Sequence, residues 1–311
     1  MSHYVPPASI NSEPVLTAQT MQEAELDVLP VLIPSNLDTP VLPTSPTPSK
    51  TVINTEVRTN VFRPDGRQRV ETSVSANDLD PGYSIRLSRT DYENPETGVT
   101  QLAVTFILDE DSQTSITAGG ALTEGDVIPE ISVTTVVVDE ENLRLRVYVE
   151  RGLNTEDPRA VQALIQQNVV GLALSTGDLN TRYQVAFNSD DIEVHEGWVS
   201  IPINGNQALQ FRSYIRAASG ESDFYWDPRF FGSVGLLVGI PVATGEKFNA
   251  QIGVQPSLIL SSDYGDSGVD LNPALPVGFR AQYVASENSQ VEFDATLAYG
   301  LTASLRWSYN F

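Results

Sequence analysis

The last eleven residues, Leu301-Thr-Ala-Ser-Leu-Arg-Trp-Ser-Tyr-Asn-Phe311, are compatible with few kinds of fold. Odd positions are apolar or aromatic (Leu301, Ala303, Leu305, Trp307, Tyr309, Phe311), and even ones are polar (Thr302, Ser304, Arg306, Ser308, Asn310). A strict period of two belongs to a strand lying between two media, one apolar and one wet. The segment 291–299 repeats the pattern. Val291, Phe293, Ala295, Leu297 and Tyr299 share one face, and Glu292, Asp294, Thr296 and Ala298 share the other. Two arrangements present such faces. A closed barrel in lipid satisfies its backbone internally and turns the apolar row outward. An edge hairpin of a soluble sandwich alternates as well.

The row Trp307, Tyr309, Phe311 ends on an aromatic residue. In this it resembles the closing strand of bacterial outer-membrane β-barrels. The resemblance is to the class, covers roughly 181–311, and is most specific in the final strand. It implies that Trp307, Tyr309 and Phe311 form an assembly signal read by the barrel-assembly machinery. It also implies a place in the bacterial outer membrane, with lipid against the outward face.

With 311 residues the chain spans one to three domains. Its 40 acidic and 18 basic residues give a net charge of −22, which argues against a nucleic-acid partner and suits a secreted or surface-exposed protein. Absence of cysteine excludes thiol catalysis, disulfides and Cys-based metal sites. No run of 18 apolar residues is present, so no helix crosses a membrane; barrel strands are untouched by that test. Met1-Ser-His-Tyr-Val-Pro-Pro7 has neither a basic n-region nor an apolar h-region. That favours a rival reading, a soluble β-rich structural protein of a virion or surface layer, virion-borne or extracellular.

Residues 1–50 hold nine of the 20 prolines and read as a disordered Pro-rich tether. Within it, 24–33 (Ala-Glu-Leu-Asp-Val-Leu-Pro-Val-Leu-Ile) is apolar enough to dock on something. Residues 51–175 read as a β-rich domain, with strands at 54–62, 68–75, 82–89, 100–108, 131–138 and 143–150. Gly119-Gly120 reads as a turn, and Asp157-Pro158 starts one helix that ends near Asn168. Residues 1–180 contain six aromatics and 181–311 contain 19. Since barrels carry aromatic girdles, this asymmetry places the barrel in 176–311. Strands there fall at 181–188, 197–204, 207–217, 232–241, 249–260, 277–285, 291–299 and 302–311. The expected fold is therefore all-β: an antiparallel up-and-down barrel of about eight strands after a β-rich domain and a tether.

Register sharpens the expectation. Opposed residues of antiparallel strands face the same side, so odd apolar rows at 277–285, 291–299 and 301–311 must pair with one another. The opposite face then gathers a charge cluster of Arg280, Glu292, Asp294 and Arg306 in the barrel interior. It sets Arg280 level with Thr296, and Thr296 level with Arg306. With the C-terminus periplasmic, the outward loops are 189–196, 218–231, 261–276 and 300–302.

Few motifs carry chemistry. His195, in Asp190-Asp-Ile-Glu-Val-His-Glu-Gly197, lacks a partner nucleophile and reads as a solvated loop histidine. Asp263, Asp266 and Asp270 form a Gly-punctuated acidic loop with hard oxygen ligands suited to Ca²⁺, the one cofactor the chain suggests. Phe224, Tyr225, Trp226 and Arg229 make an aromatic cluster that reads either as a binding loop or as part of a girdle. The leading functional expectation is a non-catalytic anchor or display platform with acidic extracellular loops, because an eight-strand interior is filled by side chains. An extracellular or periplasmic protein partner fits that role. A second expectation is a single larger barrel of 12–16 strands over 51–311, acting as a channel or porin.

Overall fold

The computed structural model describes residues 51–61, 69–79, 83–93, 96–109, 114–140, 143–176, 179–203, 206–225, 227–264, 268–297 and 301–310. The Pro-rich tether, Asp266, Trp226 and Phe311 lie outside the described residues.

The first half forms β1 (Val52–Val61), β2 (Arg69–Leu79), β3 (Tyr83–Glu93), β4 (Glu96–Asp109), β5 (Thr114–Leu122), β6 (Val127–Glu140), β7 (Leu143–Leu153) and β8 (Gln166–Thr176). The second forms β9 (Asn180–Asn188), β10 (Glu193–Ile203), β11 (Asn206–Ala218), β12 (Phe230–Ala243), β13 (Phe248–Val254) and β14 (Ser257–Ser262). It ends with β15 (Asp270–Ala274), β16 (Val277–Ser286), β17 (Ser289–Leu297) and β18 (Leu301–Asn310). A short helix, α1 (Pro158–Gln162), joins β7 to β8. Every segment pairs antiparallel with its neighbours, and β1 pairs with β18 from Val52↔Asn310 to Val61↔Leu301, closing the sheet on itself.

The eighteen segments make sixteen strands. β13 and β14 both pair with β12 and are the two halves of one strand. β15 and β16 are likewise halves of the next, pairing with β14 and β13. Pro256 and Pro276 mark the two breaks, where a missing amide donor interrupts the ladder. The backbone stays connected there, with Gln255 N–H donating to the Pro276 carbonyl (2.9 Å) and Leu236 N–H to that of Pro256 (3.2 Å).

Alternation sets the two faces of the wall. Val57, Val74, Leu87, Leu102, Val149, Leu172, Leu236, Phe293, Leu305 and Trp307 all stand outward and exposed. A soluble monomer does not expose an apolar band that runs around its whole circumference; hydrocarbon is the medium that suits it. The inward rows carry Glu56, Arg58, Glu71, Ser73, Arg86, Arg146, Arg182, Arg212, Arg280, Glu292 and Arg306, in register across strands.

Several expectations are corrected. Residues 52–176 are not a separate domain in front of an eight-strand barrel: β8 pairs with β9 and β18 with β1, so both halves share one sheet. The aromatic count misled because the lipid-facing rows of β1–β8 are built from Val, Leu and Ile, which suit hydrocarbon as well as rings do. Gly119-Gly120 lies inside β5, where a Cβ on Gly119 would collide with the Leu102 carbonyl and Ala103 Cα of β4. The helix stops at Gln162, and Leu164 turns the chain at φ 55° into β8. The charge register is shifted, by two residues between β16 and β17 and by four between β17 and β18: Arg280 stands opposite Asp294, Glu292 opposite Arg306, and Thr296 opposite Thr302. The first shift arises because β16 runs on to Ser286 and turns tightly onto Ser289, and the second because β17 ends at Leu297 and pairs there with Leu301.

The barrel ends differ. The connections at the end holding Val52 and Asn310 are 80–82, 110–113, 141–142, 177–179, 204–205, 244–247 and 287–288. The other end carries 62–68, 94–95, 123–126, 154–165, 189–192, 219–229, 263–269 and 298–300, the longer set. Depth along the outward face should therefore be measurable. Leu305→Arg, at mid-strand, should destabilise by about 2–4 kcal/mol, whereas Leu297→Arg, at the rim, should cost about 1 or less. Urea unfolding in lipid vesicles separates the two.

Candidate functional site: the barrel interior and its mouth

Sixteen strands enclose a wide interior, so what the protein can do depends on what projects into it. On β16–β18 and β1 the inward groups form a ladder of alternating sign. Arg280 Nε donates to Asp294 Oδ1 at 2.6 Å and lies 3.3 Å from Glu292. Arg306 pairs with Glu56 of β1 at 3.0 Å and approaches Glu292 at 3.8 Å. The structure thus brings the four sequence-identified charges together and adds Glu56 across the closing seam.

A second network spans β7–β11. Tyr148 lies over Gly171, where any Cβ would collide with its ring. Its hydroxyl donates to Gln184 Oε1 (2.8 Å) and accepts from Arg182 Nε (2.7 Å), with the guanidinium 4.9 Å from the ring centre. Gln184 donates to Glu196, which also accepts from the Tyr214 hydroxyl at 2.9 Å. Glu150, Glu156, Glu196, Arg182 and Arg216 line a polar cavity of about 90 Å³ at this level.

The mouth at the long-loop end is crossed by 154–165. Asp157 caps α1, accepting from Arg159 N–H at 2.8 Å, and Pro158 starts it without an orphan amide. Val161 packs with Tyr92, Val99, Ala121 and Ile128, while Ala160 and Ile165 pack with Val194, Ala218 and Tyr225. Two adjacent residues reach opposite walls. The Thr155 carbonyl accepts from Tyr92 Oη of β3 at 2.6 Å, and Glu156 accepts two hydrogen bonds from Arg216 of β11, at 2.7 and 3.2 Å. With sixteen strands in the ring, β3 and β11 lie eight apart, on opposite sides. The segment is a strut across the mouth.

Other sequence-identified residues fall elsewhere. His195 is in β10, not a loop, with Nδ1 2.7 Å from the Tyr183 hydroxyl on the outward face. Tyr225 is buried and donates to Asp190 at 3.0 Å; Phe224 packs beside it, and Arg229 is exposed. Tyr225 thus belongs to the packing of the mouth. Asp263 follows β14, and Asp270 opens β15 opposite Ser261. Among the described residues no three His, Asp or Glu side chains are grouped as a metal site. Trp307 donates to Ser289 Oγ at 2.9 Å, and its ring centre is 6.0 Å from that of Tyr309. Sequence reading missed Tyr92, Glu156, Arg182 and Arg216. Arg182 was detectable as the lone charge of β9, and Arg216 as one of the two arginines of β11. Glu156 and Tyr92 left no local signal, since their role arises only when β3 and β11 face one another.

Two tests follow from this geometry. Arg280→Leu would leave Glu292 and Asp294 side by side and should cost about 1.5–3 kcal/mol. Arg306→Leu, half exposed to the interior, should cost about 1 kcal/mol or less by the same unfolding assay. Asp227, in the loop between β11 and β12, is buried, and its carboxylate accepts from the Ser222 amide. Burial pushes its pKa from 3.8 to about 7. The Ser222 hydrogen bond and Arg216 oppose that rise, while Glu221 and Asp190 add to it; Tyr264 also senses its charge. The folded loop holds the proton more tightly than the unfolded chain. The resulting stabilisation is complete below about pH 4 and is lost as pH rises through about 7. Amides of 219–229 should therefore exchange faster, after correction for intrinsic rates, at about pH 8 than at about pH 5, and Asp227→Asn should remove the difference.

No family model matches the chain, and no curated protein matches it by sequence. Solved structures do match. A bacterial polysaccharide outer membrane secretin aligns over 85% of this chain and 99% of its own, at 11% identity and a TM-score of 0.63. CdiB from Escherichia coli aligns over 87% of this chain and 64% of its own, at 10% identity and a TM-score of 0.50. At such identities the likeness speaks for the fold. Together with the closed wall and the apolar outer band, it shows that the chain is a sixteen-stranded β-barrel of the bacterial outer-membrane type.

Proposed function

We propose that the protein is a channel for small hydrophilic solutes, with a mouth divided by the strut 154–165. The observation that carries this reading is the pair of adjacent contacts, Tyr92–Thr155 and Glu156–Arg216, which anchor one segment on opposite walls of a polar interior. A barrel of this strand number leaves an aqueous path unless something narrows it, and a strut narrows it without sealing it. The anchor or display role assumed an interior filled by an eight-strand wall, and that premise is gone.

In this reading the end with Val52 and Asn310 is periplasmic, and the long-loop end faces outward. Trp307 and Tyr309, low on the outward face, serve the assembly machinery together with Phe311. The chain carries no catalytic role. The protein with the highest TM-score above is named for a polysaccharide, and the half-buried Trp198 faces the interior here, which supports carbohydrate as one solute class.

Liposome swelling with neutral sugars of increasing size tests the proposal. Glu156→Ala with Tyr92→Phe removes both anchors of the strut, so larger sugars should enter faster than through the unaltered protein. If neither protein admits any sugar or passes ionic current, the channel reading is wrong.

A further inference from the structure

The outward row of β3 changes character partway along. Tyr83, Ile85 and Leu87 give way to Arg89, Asp91 and Glu93 toward the long-loop end. Neighbouring β4 changes at the same level, where Phe106, Val104 and Leu102 are followed by Thr100, Gly98 and Glu96. Register sets Leu87 against Leu102, Arg89 against Thr100 and Asp91 against Gly98. On this side of the wall the hydrocarbon band therefore ends between Leu87 and Arg89, and the charges stand where lipid head groups begin.

The rim is stepped here. β4 runs on to Glu96, but β5 ends at Leu122 opposite Thr100, so residues 96–99 of β4 rise past the turn 123–126. At the step lies a cavity of about 540 Å³, with Arg89, Asp91, Glu96, Gly98, Thr100 and Glu124 in its lining. Arg89 Nε donates to Asp91 Oδ1 at 2.9 Å, Nη2 lies 2.7 Å from the same oxygen, and Nη1 donates to Thr100 Oγ1 at 3.0 Å. Among the described residues these contacts take three of the five guanidinium N–H groups and leave two for a ligand. Both side chains of the pair are more than half exposed. Gly98 makes room for them, because a Cβ there would stand 2.6 Å from Arg89 Nη2 and 2.9 Å from Asp91 Oδ1.

We propose that this cavity binds the head group of a membrane lipid that carries a phosphate and, beyond it, a primary ammonium: the phosphoethanolamine group of phosphatidylethanolamine. The order of charges across the membrane surface points to it. Arg89 is the charge nearest the hydrocarbon, and a guanidinium takes a phosphate through paired N–H donors. Asp91, Glu96 and Glu124 all lie farther toward the loops, Glu124 in the turn beyond Leu122. An anchored phospholipid presents its charges in that same sequence. Its phosphate adjoins the acyl-bearing glycerol, and the ammonium follows outward with three N–H donors for carboxylates. Three carboxylates against one arginine disfavour a head group that is anionic throughout. The site lies outside the wall, so it is independent of the strut and of any solute path.

The full-length protein, purified in a neutral detergent, is supplied with equal amounts of phosphatidylethanolamine, phosphatidylcholine and phosphatidylglycerol, and retained lipid is counted by native mass spectrometry. Phosphatidylethanolamine should be retained about tenfold or more over either competitor. Phosphatidylcholine keeps the phosphate but offers no ammonium N–H, and phosphatidylglycerol has no cation. Arg89→Gln should lower phosphatidylethanolamine retention about tenfold. Gly98→Ala keeps every charge and should also weaken retention, by displacing the ion pair. Glu96→Gln with Glu124→Gln should erase the preference over phosphatidylglycerol. A heat-dependent gel shift checks that each variant is folded. Equal retention of the three lipids by the unaltered protein overturns the proposal, whatever the variants do. So does retention that a folded Arg89→Gln protein leaves unchanged. Retention abolished by EDTA overturns it too, since a divalent cation and not an ammonium would then be the partner of the carboxylates.

Discussion

Everything in this fold depends on backbone groups having no water to bond with at mid-membrane depth. A lone unpaired strand edge would leave a column of amides and carbonyls unsatisfied in hydrocarbon, each at a cost of several kcal/mol. The β1–β18 seam removes that edge, and it does so with apolar residues outward and charged ones inward, as in the rest of the wall. Once closure is imposed, the number of strands fixes the width, and the period of two fixes what faces lipid and what faces the interior. The inward charges follow from parity and not from any local motif. Glu56 and Arg306 are 250 residues apart and meet only because the first and last strands must pair.

Much of this was legible in the chain. The alternation at 291–297 and 301–310 located the outward face residue by residue, and the even set Arg280, Glu292, Asp294 and Arg306 shared the other. Strand positions before residue 176 were largely legible too, including Leu143-Arg-Leu-Arg-Val-Tyr-Val-Glu150. Which strands belonged to one sheet was not legible. Pairing of β8 with β9 leaves no mark distinct from pairing of β9 with β18, because both satisfy the same parity. Aromatic density was a poor substitute, since aliphatic rows solve the same solvation problem. β5 was hidden by glycines whose purpose is close approach to β4, the very residues that punctuate turns elsewhere.

The mouth illustrates a different limit. Asp157-Pro158 announced a helix start, and α1 starts there, yet the helix gave no hint of lying inside a barrel. Its neighbours Val99, Val194 and Ala218 come from strands far apart in sequence. Tertiary closure made an ordinary capped turn into a structural crosspiece, and no window of sequence contains both of its abutments.

That crosspiece also bears on the mechanics of the wall. A barrel this wide is a shell one residue layer thick, and its hydrogen bonds run around the hoop without resisting a squeeze that turns a circle into an ellipse. A tie between β3 and β11 fixes one diameter at the rim. The perpendicular diameter, from the β7–β8 side to the β15–β17 side, has no such tie among the described residues. Lateral pressure from the surrounding lipid would therefore deform the rim along one axis only, and the two halves of the aperture would narrow or widen together.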